Sequence, residues 1–262
     1  MKQEDAVKTI SKSLMKNKCI KAIFLKGSMG RGEYDEYSDV DIYCLVDEKD
    51  EELFLTQRLS HLESYRKILF YEDFFIIAPQ IIAVFDNLLH VDLFTVTEKN
   101  FKEKDFFQVL YDPEGRLIRF KSTQNLRLSI EEFSSCAYDV AWYLFQYNKA
   151  NQRRNDLWAV EMLQYVMVNL SKVLLHRYTP DKAQLGLKSL ESCLPSIQLD
   201  KVKTIFMYIT PNSHKKSVHS LINLLRNEIS WIESNMEKQA QAGPFIRMMM
   251  SLLDEPKEEI KK

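Results

Sequence analysis

Glycine is scarce in this chain, with six in 262 residues, and there are only seven prolines and four cysteines. So few glycines and prolines exclude a collagen-like or low-complexity chain, and no internal repeat is apparent. Cys19, Cys44, Cys136 and Cys193 are widely spaced and form no CxxC or Cys/His cluster. That spacing argues against a disulfide framework or structural zinc site and predicts a reduced, cytoplasmic protein. Neither charge sign dominates: 36 Lys and Arg against 37 Asp and Glu leave a net charge of -1. This argues against broad electrostatic binding to nucleic acid or an anionic membrane. The most apolar stretch, Phe74 to Phe85, is interrupted by Pro79 and Gln80. It falls far short of the roughly 20 apolar residues that span a bilayer. The N-terminal residues carry acids and no apolar segment, so no signal peptide is expected. A composition of 45% hydrophobic and 28% charged residues is that of a globular protein.

The pattern of apolar residues divides the chain in two. Residues 3–16 read as an amphipathic helix with Ala6, Val7, Ile10 and Leu14 on one face. Ile20 to Lys26 reads as a strand, Asp39 to Val46 as a second, and Asp50 to about Leu69 as a helix. Gln80 to Phe85 and His90 to Val96 read as a hairpin, and Val109 to Tyr111 as a short strand before the turn Asp112 to Gly115. Beyond about residue 125 helical spacing takes over. Helices are predicted at Ser129 to Asn148, Asp156 to Arg177, Asp200 to Tyr208 and Lys215 to Gln239. Ser129 and Glu132 form a capping box at the start of the first. The closing DEPKEEIKK reads as a solvated tail. The expected fold is α+β, with a catalytic domain over residues 1–125 and a helical domain over 126–262.

Gly27, Gly30 and Gly32 fall within six residues, half of all the glycines. Glycine serves where backbone bends tightly or approaches a ligand. A P-loop is excluded because Gly32 is followed by Glu33 and Tyr34, and a Rossmann fingerprint because the spacing is GxxGxG. What remains is a strand, Gly27-Ser28, ten intervening residues, and Asp39-Val40-Asp41 opening a strand. Residues two apart on a strand share a side, so Asp39 and Asp41 present their carboxylates together. Adjacent carboxylates repel unless a cation joins them, and hard oxygen ligands suit Mg²⁺. The Gly27-Ser28 turn offers backbone N–H groups and a hydroxyl to phosphate oxygens, and Arg31 a charge-assisted contact. Asp92 lies within the apolar run from His90 to Phe94. If its strand pairs beside that of Asp41, it joins the same face as metal ligand or base.

Gly27-Ser28, the ten-residue gap, Asp39-Val40-Asp41 and Asp92 resemble the nucleotidyltransferase superfamily that includes DNA polymerase β and kanamycin nucleotidyltransferase. The spelling Gly-Ser…Arg-Gly-Glu…Tyr-Ser-Asp and the segment Val84 to Phe94 look closest to small bacterial antibiotic nucleotidyltransferases, particularly those acting on lincosamides. The motif resemblance covers about residues 20–96, and the second half is similar in layout only. It implies a nucleotidyltransferase mixed sheet flanked by helices, followed by a helical bundle that selects the acceptor. It also implies Mg²⁺-dependent transfer of a nucleoside monophosphate, from ATP or another nucleoside triphosphate, to a hydroxyl of a small molecule such as a lincosamide or aminoglycoside antibiotic, with release of pyrophosphate. Asp39, Asp41 and Asp92 would hold the metal, and Gly27, Ser28, Arg31 and Ser38 the nucleotide. AMP transfer to a protein partner and a non-catalytic nucleotide-binding module are the competing readings.

Outside the motif, Asp139, Trp142, Tyr143 and Gln146 share a helix face. It either lines an acceptor cleft or packs as ordinary helix surface. Glu161, Arg153 and Arg154 read as a helix-surface acid and loop charges, with substrate contact the alternative. Ser38 caps a turn or touches nucleotide. His90 shares the face of Asp92, while His176, His214 and His219 form no zinc set. A homodimer would complete an acceptor cleft equally well.

Overall fold

The computed structural model describes residues 1–75, 78–101, 104–237 and 241–254. It falls into two compact units, Met1–Asn125 and Leu126–Lys262. The first unit opens with α1 (Lys2–Leu14), β1 (Ile20–Leu25), α2 (Gly27–Arg31) and β2 (Val40–Val46). It continues through α3 (Glu51–Leu55), α4 (Arg58–Glu63), β3 (Ile68–Phe75), β4 (Pro79–Phe85), β5 (His90–Val96) and β6 (Gln108–Tyr111). The strands form one mixed sheet in the order β3-β4-β5-β2-β1-β6. β2 and β5 run parallel at its centre, and every other pairing is antiparallel.

Alternation along the strands builds two layers. Ile23, Ile42, Cys44, Ala83 and Leu93 turn to one face, under Ala6, Ile10 and Leu14 of α1 and Phe54 and Leu62 of α3 and α4. Phe24, Tyr43, Leu45 and Phe94 turn to the other, with Phe101 and Leu117. Asp41 and Asp92 fall in the alternation of this second face.

The helix expected over 50–69 is broken. A 3₁₀ turn at Glu48–Asp50 leads into α3, Thr56 and Gln57 separate α3 from α4, and Ile68 already belongs to β3. Phe54 and Leu62 are buried, whereas Leu53 is 55% exposed, so one helix could not have buried the whole leucine series. β3 was not anticipated as a strand. It is an edge strand whose Leu69, Phe70 and Tyr71 are exposed, so no alternating pattern betrays it.

The second unit holds α5 (Ile130–Gln152), α6 (Asp156–Tyr178), α7 (Leu187–Cys193), α8 (Ser196–Met207), α9 (His214–Asn235) and α10 (Ala242–Asp254). The capping box is present: Ser129 Oγ accepts from Glu132 N at 3.2 Å, and Glu132 Oε2 accepts from Ser129 N at 2.7 Å. Val166, Leu170, Leu174, Leu221 and Leu225 form the core. α9 ends at Asn235, earlier than expected, and α10, whose buried residues include Met249 and Met250, is an additional helix. Of the expected tail, Asp254 ends α10 and residues 255–262 lie outside the described residues. His214 is buried and joins three helices. Its Nδ1 lies 2.9 Å from the Tyr147 hydroxyl and its Nε2 3.1 Å from Asp156 Oδ1. All four cysteines are free thiols. Among the described residues, no helix is long and apolar enough to cross a membrane.

Candidate active site

The central parallel pairing places Asp41 directly opposite Asp92. Register partners share a face, so the two carboxylates leave the sheet on one side. Asp39 precedes β2, and its side chain is 57% exposed. His90 opens β5 and links the outer two acids, with Nδ1 3.2 Å from Asp39 Oδ1 and Nε2 3.1 Å from Asp92 Oδ1. The hydrogen bond to Asp92, against the cost of burial, raises the His90 pKa above its ordinary 6.5. The sign follows from linkage. His90 protonation stabilises the fold below the unfolded value, and this contribution disappears as pH rises through the raised one. An imidazole whose protonation is favoured by Asp92 and Asp39 thus sits between the two carboxylates. Among the described residues, no group of three or more acids, histidines or cysteines is already arranged to hold a metal.

Gln80 is a functional candidate that sequence reasoning passed over. Its buried amide donates to Asp92 Oδ1 at 2.8 Å across β4 and β5. The signal was visible, since Gln80 interrupts the most apolar stretch of the chain. Gln80→Leu should release Asp92 and, if the three acids ligate a cation, weaken Mn²⁺ binding about tenfold, while thermal unfolding shows a folded protein. Titration by electron paramagnetic resonance measures it. Lys26, also unremarked, is 2% exposed, its ammonium 5.5 Å from the Tyr43 ring centre and 5.2 Å from that of Phe101.

Gly27 opens a one-turn helix rather than an open turn, with a left-handed φ of 60°. A Cβ built on it would lie 2.0 Å from Asp41 Oδ2. The glycine therefore leaves the space that the Asp41 carboxylate fills. Ser28 is half-buried on the same turn. Arg31 is held by two acids, Nε to Glu33 Oε2 at 2.9 Å and Nη1 to Asp105 Oδ2 at 2.6 Å. Ser38 closes the turn before Asp39, with its hydroxyl donating to Asp35 Oδ1 at 3.0 Å and accepting from Asp35 N at 3.0 Å. The structure thus brings Gly27, Asp39, Asp41, Asp92 and His90 together, while Arg31 is engaged with Glu33 and Asp105 and Ser38 with Asp35.

In the second unit, burial raises the Asp139 pKa, opposed by Lys172. Tyr143 stacks on Tyr165 with ring centres 5.0 Å apart, and the Tyr165 hydroxyl donates to Glu161 Oε1 at 3.2 Å. Trp142 is 39% exposed.

Residues 8–88 match the family described as Polymerase beta, Nucleotidyltransferase. Among curated proteins none matches. Three solved structures are similar at low identity. An aminoglycoside 6-adenyltransferase from Bacillus subtilis is 13% identical, with 95% of this chain and 98% of that one covered and a TM-score of 0.38. A nucleotidyltransferase-like protein from Exiguobacterium sibiricum is 11% identical, with 88% and 77% covered and a TM-score of 0.42. A CD-NTase from Bradyrhizobium diazoefficiens in complex with GTP is 13% identical, with 97% and 84% covered and a TM-score of 0.30.

Proposed function

We propose that this chain, a nucleotidyltransferase by the domain it carries at residues 8–88, transfers AMP from MgATP to a hydroxyl of a small molecule and releases pyrophosphate. The observation that carries the reading is the side-by-side placement of Asp41 and Asp92 in the parallel register, with Asp39 reached through His90. The residues fit a hard divalent cation. All three acids offer oxygen, and the His90 imidazole bridges two of them. Asp39, Asp41 and Asp92 would hold Mg²⁺. Bound there, it would neutralise triphosphate charge and stabilise the attacking and leaving oxygens. The chain's own residues do the rest. Gly27 leaves room for Asp41, Gln80 and His90 orient Asp92, and Ser28 offers its hydroxyl to phosphate.

The acceptor is a small hydroxyl compound, with an aminoglycoside or lincosamide the class to try first. In the second unit, the α5 face of Asp139, Trp142 and Tyr143 is the sequence's candidate for acceptor selection. Asp139→Asn and Trp142→Ala should raise the acceptor KM about tenfold or change acceptor preference, with MgATP affinity unchanged. Steady-state kinetics over an acceptor panel measures this, and a parallel loss of MgATP affinity would remove these residues from acceptor selection. For the reaction itself, incubation with MgATP and an acceptor library should yield products one AMP heavier by mass spectrometry. AMP appearing only on a protein, or nucleotide bound without turnover, would overturn the small-molecule reading.

A further inference from the structure

Asp39 is the exposed member of the acid set, and it follows an irregular loop rather than sitting within a strand. Between α2 and β2, residues 32–39 have no regular structure. Within the loop, Tyr37 N donates to Asp35 Oδ1 at 3.0 Å and Ser38 N to Asp35 O at 3.2 Å. These bonds tie the loop to itself and do not fix where it lies.

His90 meets Asp39 and the Tyr34 hydroxyl donates to Glu4 Oε1 at 2.8 Å, but the loop backbone from Asp35 to Ser38 is held by one buried side chain on α1. Gln3 is completely buried. Its Nε2 lies 3.1 Å from Asp35 O, 2.9 Å from Glu36 O and 3.0 Å from Ser38 O. Three acceptors meeting at one end of the amide identify that end as the NH₂ group. Turning the amide over would set Oε1 against three carbonyl oxygens. Two N–H bonds serve three carbonyls, so one is shared. The opposite end, Gln3 Oε1, has no hydrogen-bond partner among the described residues. An orphaned buried amide oxygen costs stability, so what this glutamine contributes lies at its nitrogen. Ser38 O belongs to the peptide that joins Ser38 to Asp39. The anchor therefore acts one bond from the residue it would place.

We infer that Gln3 is a positioning residue for the metal site: it clamps the Asp35–Ser38 backbone and thereby sets where the Asp39 carboxylate meets the cation. This rests on the reading of Asp39, Asp41 and Asp92 as metal ligands. The side chain is 36 positions before Asp39 in sequence, and no motif spacing points to it.

The test uses the full chain with Mn²⁺ as probe. Gln3→Met keeps the approximate volume and deletes both donors, and Gln3→Asn keeps the amide but shortens its reach. Tyr65→Phe is the control. Its hydroxyl donates to Lys2 O at 3.2 Å, so it loosens the same end of α1 without touching the loop. Mn²⁺ affinity is read by electron paramagnetic resonance, and protection of the Tyr37 and Ser38 amides by hydrogen exchange. Gln3→Met should lose that protection and bind Mn²⁺ about tenfold more weakly, as when a ligand's support is removed. Gln3→Asn, should Gln3→Met fail to fold, should show the same changes to a smaller degree. Tyr65→Phe should leave both readouts as in the parent protein. A folded Gln3 variant with parental Mn²⁺ affinity overturns the inference, as does an equal loss in Tyr65→Phe. Failure of the underlying reading looks different. Mn²⁺ binding would then survive Asp41→Asn, whereas the protection of Tyr37 and Ser38 would still depend on Gln3.

Discussion

Replacing Asp41 with Asn is expected to lower nucleotidyl transfer by on the order of 10³-fold, about 4 kcal/mol of transition-state stabilisation, in a protein that stays folded. The substitution preserves shape and removes one anionic oxygen from the pair that faces out between β2 and β5. Carboxylate is what a hard cation needs, and an amide oxygen is a much weaker substitute. Asp41 and Asp92 are register partners whose like charges repel, and neutralising one relieves that repulsion. The expected signature is a split: loss of Mn²⁺ binding and pyrophosphate release in a protein that still unfolds cooperatively. Near-parental turnover with Mg²⁺ would remove the basis of the proposed chemistry. A lower melting temperature together with intact Mn²⁺ binding would make Asp41 a structural residue.

The parts of the site that could be read from sequence were those written into strand periodicity. Asp39 and Asp41 are two apart at a strand start, and Asp92 lies in an apolar run. Placing Asp92 beside Asp41 needed only that β5 pair with β2, although the sequence could not say that this pairing is parallel or which strands intervene. The supporting side chains were harder to see. Gln80 was visible as a polar interruption, but its meaning depends on the β4–β5 register that sets its amide against Asp92 Oδ1. Gln3 carried no signal, because a glutamine on an amphipathic helix is ordinary until the loop it holds is seen. The same limit explains β3. With aromatic residues on both sides and acids at Glu72 and Asp73, its sequence alternates with no period. Only its pairing with β4 makes it a strand. In the second unit, long helices with strong apolar spacing were legible, and the short α7 and the separate α10 were not.

Gly27→Val should damage the site, and for a different reason than sequence alone suggests. Sequence reasoning makes the glycine a place where backbone approaches phosphate. The structure adds an intramolecular cause: any Cβ at 27 would lie 2.0 Å from Asp41 Oδ2 and 3.1 Å from its Cγ, so the carboxylate must move. The φ of 60° adds a second cost, because left-handed backbone is disfavoured for side chains branched at Cβ. Together these should destabilise the protein by about 3 kcal/mol and weaken Mn²⁺ and MgATP binding by at least about tenfold. Ser28→Ala, which deletes one hydroxyl and disturbs no backbone, should cost nucleotide affinity only about 1 kcal/mol. The two causes at Gly27 can be separated with a double-mutant cycle. Gly27→Ala alone carries both the clash and the backbone strain. Combined with Asp41→Ala it should retain only the strain, giving a favourable coupling of about 1–2 kcal/mol in urea unfolding. Additive losses would mean that Gly27 does not make room for Asp41. Its role would then be confined to the backbone turn and to whatever approaches it from outside.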